Sequence, residues 1–167
     1  MENEIKNKQE STRWNNFFEK TKNAEPRKYL VDAIQHIEDK GVALDLGAGA
    51  LRDTRFLLEQ GFERVIAVDR EAAFEDSAKE IDDERLETNI STFEDFDYMK
   101  DVYDLINAQY SLPFMKKEYF DDIISKIKSS LKTNGIFVGT FFGNRDGWNN
   151  KISITQIFQT REEMEKM

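Results

Sequence analysis

Four short apolar runs constrain the fold of this chain more than any other feature. They are VALDLG (42–47), RVIAVD (64–69), YDLINAQ (103–109) and GIFVGTFF (135–142). Each has the length of a strand, and most are apolar at successive positions rather than at every second one. Strands of that kind are covered on both faces, as in a parallel sheet. The segments between them have helical spacing. A helix follows the first run to about Gln60, with Gly61 past its end. EAAFEDSAKE (71–80) reads as another, and Tyr119, Phe120, Ile123, Ile124, Ile127 and Leu131 mark one face of a third. Asn134-Gly135 then makes the turn into the last run, and ERLETNIS (84–91) is a weaker strand. Upstream, Pro26 opens a helix over 26–39 at a favoured first-turn position, and Gly41 stops it. Strands alternating with helices predict an α/β fold. Its core is a doubly wound, mostly parallel sheet of about five strands with right-handed crossovers.

The 167 residues suit one domain, and thirteen phenylalanines supply much of its core. STRWNNFFEK (11–20) is aromatic and reads as helix, so residues 1–25 form a helical cover or lid on a domain spanning 26–167. A net charge of −9 weighs against nucleic acid as a partner, because it repels phosphate backbones. There is no cysteine, which excludes disulfides, thiolate metal sites and a thiol nucleophile. His36 is the only histidine, so metal chemistry is poorly served; between Ile34 and Ile37 in an amphipathic helix it reads as structural. MENEIKNKQE lacks the apolar stretch of a signal peptide, and no run is long enough to cross a membrane. A cytoplasmic location is expected.

The chemistry is concentrated at the end of the first run. Gly47 and Gly49 lie between strand and helix in LDLGAGALRD. Glycine permits positive φ and lets a ligand approach the backbone. The helix that follows offers unpaired N–H groups to something anionic. A dinucleotide loop would carry a third glycine, yet Arg52 stands at that place. Asp69 closes the second run at the distance where doubly wound sheets hold a ribose, its two oxygens matching the two donors of a cis-diol. Its other reading is a cap for the segment beginning Arg70-Glu71.

Four blocks, in order, carry a resemblance. LDLGAGALRD resembles motif I of the class I S-adenosylmethionine-dependent methyltransferases, and VIAVDR resembles their motif II. YDLINAQYSLPF resembles their fourth-strand motif, and LKTNGIFVGTFFG their segment of helix, turn and fifth strand. The resemblance covers residues 10–167 and is nearest to small-molecule enzymes of the tellurite-resistance-like type. It implies a Rossmann-like methyltransferase fold, S-adenosyl-L-methionine as cofactor and S-adenosyl-L-homocysteine as product. By that pattern Asp45 faces the methionyl amine, directly or through water, and the backbone of Gly47, Ala48 and Gly49 lines the tail. Asp69 holds the ribose, and Arg70 borders the adenine together with Thr92, Phe93 and Glu94. Asn107, Ala108 and Gln109 lie beside the sulfonium. Arg52 either pairs with the methionyl carboxylate or is a solvated first-turn arginine.

Methyl transfer is an in-line displacement in which orientation dominates and a general base is optional. No residue stands out as a catalytic base. Acceptor contacts are expected from Trp14, Phe17, Phe18, Tyr110, Phe114, Phe142 and Trp148, each of which could equally be packing. Trp148 is singled out because GNRDGWNN is otherwise polar and Gly-rich, so it has little local core to join. The family sheet has seven strands, and after ISITQIF (152–158) the chain opens a helix at Thr160 and Glu163, so the C-terminal strands are incomplete. The fifth strand then has an open edge, which predicts a truncated chain, a naturally short protein, or a homodimer that covers the edge. The functions in competition are a methyltransferase acting on a small molecule, a non-catalytic or truncated S-adenosylmethionine-binding module, and a nicotinamide-dependent oxidoreductase.

Overall fold

The computed structural model describes residue 16, residues 18–147 and residues 157–166. Five strands form one sheet: β1 (Val42–Leu46), β2 (Arg64–Asp69), β3 (Leu86–Ile90), β4 (Tyr103–Ala108) and β5 (Leu131–Gly139). Their order is β3-β2-β1-β4-β5, and every pairing is parallel. The direction of winding reverses beside β1, between β2 and β4. In open α/β sheets the crevice at such a reversal, outside the carboxyl ends of the strands, is where ligands bind.

Alternate residues of each strand serve opposite faces. Leu44, Leu46, Ile66, Val68 and Ile106 pack on one side with Phe120, Ile123 and Ile127 of a helix spanning Phe120–Ser130. Ala43, Val65, Leu105 and Val138 pack on the other. There they meet Leu30 and Ile34 of α1 (Lys28–Ile34) and Leu57 and Leu58 of α2 (Arg52–Glu59). A short α3 (Ala73–Ala78) brings Phe74 onto Ala67, Ala50 and Leu51. The helix Phe120–Ser130 is therefore α4.

Two boundaries differ from the sequence reading. The helix expected over 26–39 ends at Ile34, because the amides of His36 and Ile37 bond three residues back and tighten the chain into a turn. His36 lies exposed in that turn. The fifth strand begins at Leu131, directly after α4, rather than at Gly135. Asn134-Gly135 is an irregularity inside it: Tyr103 faces Leu131 but Leu105 faces Ile136, so 131–136 runs beside only 103–105. Asn134 takes up the slack at φ 69°, and a Cβ on Gly135 would stand 2.8 Å from the Tyr103 carbonyl. The same stretch carries Lys132, whose ammonium meets Asp104 on β4 at 2.9 Å, and Asp104 also accepts the amide of Val42 on β1 at 2.7 Å. One buried carboxylate thus clips three strands.

Beyond β5, Phe142–Gly143 (β6) pairs in parallel with Phe158–Gln159 (β7). Thr160 and Glu163 make the expected capping box at the start of α5 (Arg161–Glu165). Of the expected cover over 1–25, residues 18–20 are helical, and Phe18 is buried against the β1–α2 turn. Among the described residues no helix is long and apolar enough to cross a membrane.

Candidate active site

The β1–α2 turn is shaped by three left-handed residues. Gly47 has φ 76° and Gly49 has φ 54°, and the third is Leu51 at φ 61°, immediately before α2. Leu51, one residue before the place of a third glycine, is buried in a conformation that costs a non-glycine residue about 1 kcal/mol or more. The amides of Gly47 and Ala48 both donate to the Val68 carbonyl, at 2.8 and 3.0 Å, which ties the turn to β2. A Cβ on Gly47 would stand 2.4 Å from that of Ser111, so glycine is required there by space as well as by φ.

Two cavities meet at this turn. The larger, about 260 Å³, is bounded by Phe18, Gly47, Gly49, Asp69 and Arg70, by Thr92, Phe93 and Glu94 after β3, and by Gln109, Tyr110 and Phe114 after β4. The smaller, about 30 Å³, is polar and holds Asp45, Ala48, Arg52, Asp53 and Asn107. Gly47, Gly49, Gln109 and Arg27 belong to both.

Asp69 is buried. Its Oδ2 accepts the Gly49 amide at 2.9 Å and its Oδ1 the Glu71 amide at 2.9 Å. Burial pushes its carboxyl above the usual range, against the pull of those two amides. The capping reading is therefore real, since Glu71 is held, and the Arg70 amide adds to the donors on this carboxylate. A carboxylate oxygen can accept more than one donor.

Asp45 lies deeper. Thr54 Oγ1 donates to its Oδ2 at 2.6 Å, and Asn107 Nδ2 to its Oδ1 at 2.8 Å. Complete burial, with the Asp53 carboxylate adding to it, pushes its carboxyl up to about 6. Asp53 is in turn met by the Arg27 amide at 3.0 Å, the Arg27 guanidinium at 3.5 Å and Arg52 Nε at 3.4 Å. Arg52 is thus neither solvated nor alone: it is tucked against Asp53 at the wall of the small cavity.

The structure gathers most of the sequence candidates. Asp45, Gly47, Ala48, Gly49, Arg52, Asp69, Arg70, Thr92, Phe93, Asn107, Gln109, Phe18 and Tyr110 line one or both cavities. Ala108 lines neither and is buried in the core below them. Phe142 packs edge-on against Phe114 at 5.6 Å and beside Phe158 at 6.0 Å, one layer behind the cavity wall. Trp14, Phe17 and Trp148 lie outside the described residues.

Sequence reasoning missed Arg27 and Ser111. Arg27 stacks its guanidinium 4.8 Å above the Tyr110 ring, and burial draws its pKa down while Asp53 pulls it back up. Pro26 marked the start of α1, and with it the neighbourhood of Arg27, but nothing in local spacing says that this start abuts the end of β4. Tyr110, at φ 56°, is itself held in a left-handed conformation rare for an aromatic residue.

A family model described as tellurite resistance protein TehB matches residues 11–163. The chain belongs to the TehB family. Among solved structures, the TehB-family chain is similar to the Burkholderia thailandensis 1,6-didemethyltoxoflavin-N1-methyltransferase, solved with bound 1,6-didemethyltoxoflavin and S-adenosylhomocysteine. The identity is 27%, the match covers 72% of this chain and 53% of that one, and the TM-score is 0.61. This chain therefore spans about half the length of that enzyme. It is also similar in fold to an S-adenosylmethionine-dependent methyltransferase from Mesorhizobium loti, at 16% identity, 83% and 77% coverage and TM-score 0.65. DhpI in its SAM–HEP complex matches at 16% identity, 83% and 76% coverage and TM-score 0.60. No curated protein matches the chain. The five-stranded parallel sheet is that of the Rossmann-like methyltransferase fold, as the four sequence blocks implied.

Proposed function

We propose that this chain is a methyltransferase that binds S-adenosylmethionine in the crevice above β1, β2 and β4 and methylates a small-molecule acceptor. One observation carries the reading. Two buried carboxylates, Asp45 and Asp69, flank a glycine turn at the carboxyl ends of adjacent parallel strands, beside a cavity walled by aromatic side chains.

The residues present fit that cofactor. The two oxygens of Asp69, each able to accept more than one donor, suit a ribose cis-diol. Asp45, in the small polar cavity, suits an ammonium group, which would relieve the cost of its burial. Gly47 and Gly49 line both cavities, so a methionyl tail can lie against the backbone there. Arg27 joins Arg52 as a candidate for the methionyl carboxylate, because it reaches both cavities. Arg70, Thr92 and Phe93 border the space left for the adenine, and Tyr110, Phe114 and Phe18 that left for the acceptor. The sulfonium of the bound cofactor supplies an electrophilic methyl group together with its leaving group. The chain's own residues then have to orient the acceptor and exclude water, which is the role the buried wall of the cavity supports. The S-adenosylhomocysteine in the Burkholderia enzyme supports the reading. A cytoplasmic location and a homodimer through the β5 edge belong to the same reading.

Calorimetry decides the cofactor. Micromolar binding of S-adenosylmethionine and S-adenosylhomocysteine with no response to NAD is the expected result, and the reverse pattern would reject it in favour of the oxidoreductase. Methyl transfer to an acceptor panel then separates an enzyme from a binding module.

A further inference from the structure

The side-chain amides of Asn107 and Gln109 form a chain with a defined direction. It is anchored at Asp45, whose ionised carboxylate can only accept. Asn107 therefore turns its Nδ2 to Asp45, at 2.8 Å, and its Oδ1 the other way. That oxygen accepts Gln109 Nε2 at 3.0 Å. Reversing the Gln109 amide would set two oxygens against each other and lose the bond. The Gln109 orientation is thus fixed through two links to a buried charge, and its Oε1 is left buried with no hydrogen-bond partner among the described residues. Two residues on, Ser111 Oγ is buried and unpartnered in the same way. Both residues line the larger cavity, on the side formed by Tyr110, Phe114 and Met115. Native proteins rarely leave a buried polar group unpaired without a use for it, because each one is costly.

We propose that Gln109 is a specificity-determining residue: its locked amide oxygen receives an N–H or O–H donor from a flat, largely apolar methyl acceptor, with Ser111 as a second polar contact. This rests on the cofactor reading above. It places Gln109 on the acceptor side of the sulfonium rather than on the cofactor itself. A neutral amide oxygen orients the donor and does not act as a base: the methyl carbon leaves the sulfonium sulfur, which becomes a neutral thioether, a lone pair of the acceptor's nitrogen or oxygen forms the new bond, and the acceptor's proton passes to solvent water. A cavity wall that hydrogen-bonds one polar group discriminates strongly against analogues that lack it, since the wall group is then left unpaired.

The test uses matched pairs, benzimidazole against 1-methylbenzimidazole and 8-hydroxyquinoline against quinoline, with S-adenosylmethionine as methyl donor. Wild-type turnover is expected only with the member carrying N–H or O–H. Gln109→Met, close to isosteric, should lower kcat/KM for that member by ten- to a hundredfold while S-adenosylhomocysteine affinity by calorimetry moves less than threefold. Ser111→Ala gives a second variant, expected to lose about threefold to tenfold. Turnover of both members, turnover of neither, or an equal loss of cofactor affinity in Gln109→Met would overturn the assignment. If the wild type fails to bind S-adenosylhomocysteine at all, it is the cofactor reading that falls. A Gln109→Met that melts at the wild-type temperature and keeps the full preference for N–H or O–H acceptors also overturns it.

Discussion

Asp69 and Asp45 show how one residue type is put to two uses by its surroundings. Asp69 lines the larger cavity while holding the Gly49 and Glu71 amides. Asp69→Ala should weaken S-adenosylhomocysteine binding by about ten- to a hundredfold, the equivalent of losing charge-assisted hydrogen bonds worth about 1.5–3 kcal/mol. Calorimetry that returned the wild-type affinity would remove the ribose from this position. Asp45 is held by side chains alone and titrates high, near 6, through burial and the neighbouring Asp53 charge. The sign follows from linkage. Between the ordinary carboxyl range and about 6 the folded chain keeps a proton that the unfolded chain has lost, so this group's contribution to stability is present at low pH and is lost as pH rises through 6. Asp45→Asn should therefore gain stability relative to wild type between pH 4.5 and pH 7 in urea melts. A pH-independent difference between the two proteins would contradict the assignment. None of this partnering was legible in the sequence. The positions of Asp45 and Asp69 were, because each closes an apolar strand, but Thr54 and Asn107 reach Asp45, and Arg27 reaches Asp53, only through the fold.

At the scale of elements, legibility tracks how completely each strand is buried. β1, β2 and β4 are covered on both faces and stand out as unbroken apolar runs. β3 lies at an edge with most of its residues exposed, and LETNI reads weakly for that reason. The start of β5 was misplaced because LKTNG looks like a turn and is one, though inside the strand. That makes Gly135 a hinge of register. Gly135→Ala should destabilise the domain by about 1–3 kcal/mol, since its Cβ would press on the Tyr103 and Lys132 carbonyls at 2.8 and 3.0 Å. A melting temperature within a degree of wild type would show that the bulge yields instead. The start of α1 carries the clearest gap in the sequence reading: Pro26 fixed where the helix begins, but the stacking of Arg27 on Tyr110 depends on two segments far apart in the chain.

For the whole molecule, the TehB-family match and the five-stranded sheet agree with the architecture that the alternation of runs and helices predicted. Ile136 and Phe137 on β5, the outer strand of the sheet among the described residues, are only half-buried, and the proposed homodimer would cover them. Light scattering at micromolar concentration is expected to give twice the chain mass, and a mass of one chain across the accessible range would retire the dimer.

The strand order also has a temporal side. β1 lies at the centre of the sheet, yet one of its two neighbours, β4, is not synthesised until residue 108. While translation proceeds, the three strands between Val42 and Ile90 can assemble only as a half-sheet with β1 at its border, its unpaired amides and carbonyls open to any passing strand. A ribosome that stalls between Ile90 and Tyr103 would leave that border exposed, so the pace of synthesis through this interval bears directly on whether the nascent protein matures or aggregates.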